Sequence, residues 1–349
     1  MRLSAPGCDS VPGEASDARH RLAHESAIAG PLFVLAPPRS FSSVVCAMLG
    51  QHPEMFGLPE LHLLDLENVG QCFEREGVPR LTDGLLRVVA ELCFGGQTEE
   101  TIRRARGWLW RRAHFGVGYL VETFARIVQP RMLVEKSPSL VQERRHLERV
   151  RLMFPDARFI HLVRHPRGHG ESVLKVMQSM AKDLSISRAV LRAQDGPFPR
   201  WVLDLAGAQA GPGPKSRRLP RIDPQQGWLK LHRNICEFLD SMPQAEYLRV
   251  RGEDLLSEPD AHLKRIADWL GLRTDPEAIE AMKHPEKSVF ACRGPSGAGW
   301  GNDRFFVQNP LLRPVRMDLL TLDGPLRWRD DDTRFSEPVR QLARRFGYQ

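Results

Sequence analysis

Apolar residues gather in short continuous runs separated by longer stretches in which they recur every three or four positions, the pattern of strands alternating with helices. Leu32-Phe33-Val34-Leu35-Ala36 has strand length and is followed by a Pro-Pro turn and a helix-like run from Ser42 to Gly50. Between Leu81 and Val128 the spacing of Leu85, Val88, Val89 and Leu92, then of Tyr119, Phe124 and Ile127, predicts two or three helices. Met132-Leu133-Val134 and Arg158 to Val163 predict two further strands, the second turning into a helix over Gly168 to Met180. Pro, Gly and Arg enrich Asp195 to Gln226, which reads as a long surface loop or lid. A helix over Trp228 to Asp240, a strand over Tyr247 to Val250 and a helix from Asp260 to Leu270, closed by Gly271, come next. From Gly294 the chain reads as loop, with a short helix near Val339 to Phe346, and no segment repeats another. The alternation predicts an α/β fold with a central parallel sheet flanked by helices on both faces.

Met1 to Gly30 shows no sustained periodicity and is expected to be a flexible leader before a single domain over 31–349. The chain has 349 residues, 42% hydrophobic and 27% charged, an ordinary globular balance that excludes a fibrous or wholly disordered protein. Its apolar runs are too short to span a bilayer and no secretory signal pattern is present, so a cytoplasmic protein without membrane contact is expected. The net charge of +7 suits phosphate or sulfate ligands as well as nucleic acid, and charge does not choose between them. The six cysteines are scattered without zinc-finger spacing and read as reduced thiols.

Three loops carry candidate chemistry. Pro38-Arg39-Ser40-Phe41-Ser42-Ser43 lies between a predicted strand and helix, where backbone N–H groups, hydroxyls and one arginine can cradle an anion. It is P-loop-like but lacks the Gly-x-x-x-x-Gly-Lys-Ser/Thr pattern, and no acidic residue ends a strand where magnesium is held in NTP-hydrolysing enzymes. Arg164 leaves a predicted strand end and Ser172 sits eight residues on in the following helix, so both can converge on one phosphate. Arg293-Gly294 opens a third basic loop late in the chain.

In order and spacing these segments resemble the sulfotransferases that use 3′-phosphoadenosine 5′-phosphosulfate, over about residues 32 to 305. The resemblance implies that the Pro38–Ser43 loop grips the 5′-phosphosulfate, that Arg164 and Ser172 hold the 3′-phosphate, and that Arg293-Gly294 loosely echoes a further nucleotide-binding loop. Gln51-His52-Pro53, Leu58-Pro59-Glu60-Leu61-His62 and Val134-Glu135-Lys136-Ser137-Pro138 resemble the tyrosylprotein and polyketide-associated branches. They imply Glu60 as general base, Lys136 as a contact to the transferring group, and His62 as a second base or substrate contact. Arg251-Gly252-Glu253-Asp254-Leu255 is similar to an Arg-Tyr-Glu-Asp-Leu segment of the family. Phe41 replaces a glycine of the family's first loop and Gly252 replaces a tyrosine, leaving Trp300 or Phe305 to supply an aromatic adenine contact.

On this reading Arg39 and Lys136 stabilise charge on the sulfuryl group and the leaving phosphate, and Glu60 accepts the acceptor's proton best if an apolar pocket raises its pKa. The acceptor is expected to be a hydroxyl-bearing small molecule, free or presented on a carrier protein, within insertions around 61–128 and 174–227. No metal and no nucleic-acid partner are expected. Two other classes stay open: an ATP-dependent phosphotransferase, disfavoured by the missing lysine and acidic ligands, and a non-catalytic phosphonucleotide-binding module, for which Phe41 is the best argument. His161, His165 and His169 recur every four residues, yet they straddle strand, loop and helix and make a poor metal face. Trp108 and Trp110 read as a helix face lining core or acceptor pocket.

Overall fold

The computed structural model describes residues 30–74, 81–185, 223–315, 320–329 and 332–349. The expected leader, 1–29, and most of the expected loop at Asp195 to Gln226 lie outside the described residues.

In chain order the elements are β1 (Leu32–Leu35), α1 (Ser42–Leu49), β2 (Met55–Gly57), α2 (Gln71–Glu74), α3 (Asp83–Phe94), α4 (Glu99–Trp110) and α5 (Val117–Val128). β3 (Met132–Glu135), α6 (Arg144–Met153), β4 (Arg158–Val163), α7 (Pro166–Ser185), α8 (Pro224–Leu239) and β5 (Tyr247–Arg251) follow. The chain then runs through α9 (Gly252–Ser257), α10 (Pro259–Leu270), α11 (Pro276–Met282), α12 (Arg304–Gln308) and α13 (Glu337–Arg345).

The five strands are all parallel in the order β2-β3-β1-β4-β5. Period-two alternation sends β1 to both faces: Phe33 and Leu35 enter the core shared with α3 to α6 and α8, and Leu32 and Val34 the core shared with α1, α10 and α11. Helices therefore cover both faces, and the strands read as continuous apolar runs because neither face meets water. α7 begins two residues before the expected Gly168, and α12 interrupts the tail expected to be loop. β2, α6, α9 and α11 add to the elements expected; α6 is mostly charged and buries only Leu147 and Val150, too thin an apolar stripe to read as a helix.

Under the C-terminal segment lies a histidine cluster. His161 on β4 and His232 on α8 are hydrogen-bonded at 2.9 Å and packed against Phe346. Burial, then neighbouring Arg249, hold His161 well below the ordinary histidine value; burial, then His161, do so for His232. Burial, reinforced by nearby arginines, holds His165 down to about 4 and His169 to about 3. All four are neutral when folded but protonate near 6.5 when unfolded, so their contribution is full above that pH and is lost as pH falls toward their folded values, at roughly 1.4 kcal/mol per withheld proton per pH unit. Two carboxyls that burial pushes up, Glu135 and Glu253, act in the opposite sense, but the histidines outnumber them. The melting temperature is expected to fall steadily from pH 6.5 to pH 4, and a flat profile across that window would show that the histidines are not buried neutral.

Candidate functional site

Strand order reverses around β1, whose two neighbours are β3 and β4, and in parallel α/β sheets the crevice beyond the strands' carboxyl ends at such a point is where ligands bind. The site residues leave the sheet there. The Ala36–Phe41 loop follows β1, Lys136 and Ser137 follow β3, and Arg164 follows β4. Pro38, Arg39, Phe41 and Arg164 border a cavity of about 900 Å³, and Lys136 lies behind Ser43 and Glu60, which line it and accept from its Nζ.

The first loop turns sharply into α1. Arg39 and Phe41 both take left-handed backbone angles, φ 68° and 66°, which for side-chain-bearing residues cost on the order of 1–3 kcal/mol each. The glycine of the family pattern at position 41 thus has a visible conformational cause, and this chain keeps the conformation while carrying phenylalanine. Pro38, Arg39, Phe41, Ser42 and Ser43 line the cavity, and Ser40 is fully buried with its hydroxyl unpartnered among the described residues. The first N–H groups of α1 have no intrahelical acceptor and favour an anion.

Arg39, Arg164 and Ser172 are brought together. Arg39 Nε donates to Ser172 Oγ at 3.2 Å, and Arg164 Nη1 donates to the Arg39 carbonyl. The Arg164 guanidinium lies 4.1 Å from the centre of the Phe41 ring. Burial lowers both arginines to about 10, which leaves them cationic at neutral pH. Asp303, the cap of α12, pairs its carboxylate with Arg39.

The reacting end is built on β3. Lys136 is buried and its Nζ donates to Ser43 Oγ at 2.8 Å and to Glu60 Oε1 at 2.7 Å, tying the anion loop to the carboxylate. His62 Nε2 is 3.3 Å from Glu60 Oε2. Burial pushes the Glu60 carboxyl up, but Lys136 and then His62 outweigh it and hold it at about 2. The condition under which Glu60 would serve best as a base, a pKa raised by its pocket, is thus not met at rest: burial acts in that direction, and the paired lysine outweighs it. His62 takes a left-handed backbone angle, φ 47°, and its ring meets Glu60.

Neighbours the sequence reading passed over hold this arrangement. Ser137 Oγ accepts from the backbone N–H of Leu61 and of His62, both at 2.9 Å, and the buried Glu135 carboxylate accepts from Ser137. In Glu135-Lys136-Ser137 the middle residue thus meets Glu60, and the flanking two pin the segment carrying it. His169, Asp303, Phe305 and Arg313 also line the cavity. His169 is buried with Nδ1 unpartnered among the described residues; its signal in the sequence was the four-residue histidine spacing, considered there only for metal. No group of three or more His, Cys, Asp or Glu placed to hold a metal occurs among the described residues.

Arg293 and Gly294 are placed elsewhere. They border a second, shallower cleft with Glu91, Gln97 and Cys292, and the Arg293 guanidinium lies 5.5 Å from the Trp300 ring. Of the two aromatics considered for an adenine contact, Phe305 lines the main cavity and Trp300 does not.

A hydroxyl-bearing loop with two arginines beside an ionised carboxylate, at the switch point of a parallel sheet, is an arrangement with the charges that group transfer from an anionic donor needs. The sulfotransferase family model matches residues 31–211. Carbohydrate sulfotransferase 7 of Mus musculus is 33% identical over 159 residues, covering 42% of this chain and 30% of that protein. Carbohydrate sulfotransferase 2 of Homo sapiens is 28% identical over 163 residues, covering 44% of this chain and 28% of its own length. The aligned part therefore spans less than a third of each of these relatives. Among solved structures, the sulfotransferase domain from the curacin biosynthetic pathway aligns with TM-score 0.68 at 21% identity over 93% of this chain and 99% of its own, which bears on the fold. The sulfotransferase domain of the Synechococcus PCC 7002 olefin synthase aligns with TM-score 0.64 at 25% identity, covering 91% and 94%. The chain belongs to the sulfotransferase family. No helix among the described residues is long and apolar enough to cross a membrane.

Proposed function

We propose that the chain, as one catalytic domain over 31–349, transfers a sulfuryl group from 3′-phosphoadenosine 5′-phosphosulfate to a hydroxyl. The observation that carries this reading is the Ser43–Lys136–Glu60 chain of hydrogen bonds, which places a buried cation between an anion loop and a carboxylate. The residues around the cavity support such a donor: the buried Ser40 hydroxyl of its loop and Arg164 Nε have no hydrogen-bond partner among the described residues.

In this mechanism the acceptor oxygen attacks sulfur while the bond from sulfur to the bridging oxygen breaks. Glu60 takes the acceptor's proton, and Lys136 with Arg39 offsets charge on the departing phosphate. A carboxylate held at about 2 is a weak base at rest. Donor oxygens that draw Lys136 toward Ser43 loosen its hold on Glu60, and burial then raises the carboxyl where and when a proton must be accepted. Sulfuryl transfer carries less charge than phosphoryl transfer, so arginine, lysine and loop amides suffice for it.

The acceptor side of the cavity is bordered by His62, Asp65, Ser139, Gln142 and His146, a polar lining that suits a hydroxyl-rich acceptor, with Ser139 donating to Asp65 at 3.0 Å. The names of the curated relatives support a sugar-like acceptor. The solved neighbours support a natural-product acceptor, free or carrier-held. Rates on monosaccharides, aromatic alcohols and carrier-linked hydroxyacyl chains distinguish these.

The donor reading is tested by calorimetry without metal. The protein is expected to bind 3′-phosphoadenosine 5′-phosphate in preference to adenosine 5′-phosphate and ATP, and Arg164→Ala to lose roughly ten- to a hundredfold, as a charge-assisted contact of about 1.5–3 kcal/mol predicts. Equal affinity for the three nucleotides would remove the donor assignment and favour a phosphotransferase or a nucleotide-binding module.

A further inference from the structure

The two departures from the family pattern, phenylalanine at 41 and glycine at 252, meet in space. A Cβ on Gly252 would lie 2.6 Å from Phe41 Cδ2, closer than packed atoms approach, so any larger residue there would push the ring away. The same ring carries the Arg164 guanidinium at 4.1 Å from its centre. Arg164 Nη1 is committed to the Arg39 carbonyl, and the buried Nε has no hydrogen-bond partner among the described residues. The guanidinium is thus held by one corner and by its face. Its Nε–Nη2 edge, the edge that takes an oxyanion through two parallel hydrogen bonds, faces Gly168 in the first turn of α7, and Arg164 as a residue borders the cavity.

We infer that Phe41 is a positioning residue that fixes the plane of Arg164 for the nucleotide's 3′-phosphate, and that Gly252 is the space that lets it do so. The inference rests on the donor reading given above. It explains why a bulky residue is kept at φ 66° in an anion loop, where glycine would relieve the strain: glycine offers no π face to a desolvated arginine. It also joins the two departures into one exchange, since the aromatic at 41 and a tyrosine at 252 would compete for the same volume.

Calorimetry with 3′-phosphoadenosine 5′-phosphate and adenosine 5′-phosphate, each variant first checked by thermal melt, tests this. Phe41→Leu keeps bulk and loses the π face; Gly252→Ala displaces the ring from the other side. Each is expected to weaken the bisphosphate roughly three- to tenfold more than the monophosphate, while Phe41→Tyr retains wild-type affinity. Gly252→Ala added to Phe41→Gly is expected to cost nothing further, because the ring it displaces is gone. If the wild type prefers the bisphosphate but Phe41→Leu and Gly252→Ala bind it equally well, the positioning role falls and the donor reading stands. Equal weakening of both nucleotides would likewise overturn it, placing Phe41 on a part they share. A wild type indifferent to the 3′-phosphate removes the donor reading and this inference together.

Discussion

Glu60→Gln is expected to lower turnover by roughly 10²–10⁴-fold while nucleotide affinity stays within about twofold. Glutamine matches glutamate in shape and its oxygen still accepts from Lys136 Nζ, the contact now 2.7 Å long, so the anion loop keeps its brace through Ser43. What disappears is the capacity to accept the acceptor's proton. Initial rates under saturating donor, beside calorimetry with 3′-phosphoadenosine 5′-phosphate, separate the two effects. Undiminished turnover would take the base role from Glu60 and pass it to His62, whose Nε2 sits 3.3 Å from the same carboxylate. His62→Gln then becomes the deciding variant: a smaller loss than that of Glu60→Gln is expected if His62 orients the carboxylate, and a larger one if it is the base.

The parallel sheet was legible because buried strands leave an unbroken apolar mark: Leu32–Leu35 and Arg158–Val163 are strands at the residues the pattern marked. Short or highly charged elements left no such mark. β2 has three residues, and α6 presents four arginines, a histidine and a glutamate around a two-residue stripe. Loop positions 38–43, with Arg164 and Ser172, could be gathered from strand ends and spacing, since a strand, a turn and a helix constrain where the intervening side chains go. Two kinds of fact lay outside that reach. The protonation of Glu60 depends on Lys136 arriving from another strand, a long-range contact that reverses the effect of burial alone. The separation of Arg293 from the cavity depends on the path of a loop with little periodic pattern, so a basic residue of the right type was placed on the wrong side of the chain's geometry for contact with the main cleft. Phe41 and Gly252 illustrate the same limit from the other direction: each was visible as an oddity, and only their proximity turns two oddities into one packing arrangement.

Lys136→Met is expected to reduce turnover by roughly 10²–10³-fold and to change how both rate and stability depend on pH. Methionine fills the buried stem but leaves Glu60 without its cation. Burial, now opposed chiefly by His62, moves the carboxyl upward from about 2. In the wild type a carboxyl held below its unfolded value of 4.5 adds stability above that pH and loses it as pH falls toward 2, so Glu60 places no acid limb on the resting enzyme's rate near neutrality. In the variant the sign reverses once the folded value exceeds 4.5: the carboxyl favours the folded state at low pH and loses that contribution as pH rises through its new value. The stability deficit is therefore expected to be largest at neutral pH and to narrow on acidification. Its size should lie toward or below the lower end of the roughly 3–5 kcal/mol that breaking a buried pair costs, because the Glu60 side chain is 21% exposed. The residual kcat/KM for the donor, which reports the free enzyme, should acquire an acid limb above pH 4.5 that the wild type lacks. Denaturant melts and pH–rate profiles of the two proteins check both statements, with Lys136→Arg as a charge-retaining control expected to keep the wild-type pH profile. Parallel pH profiles for wild type and Lys136→Met would show that Lys136 does not set the protonation of Glu60, and the ordering of charge along Ser43, Lys136 and Glu60 would then have to be abandoned as the basis of the mechanism.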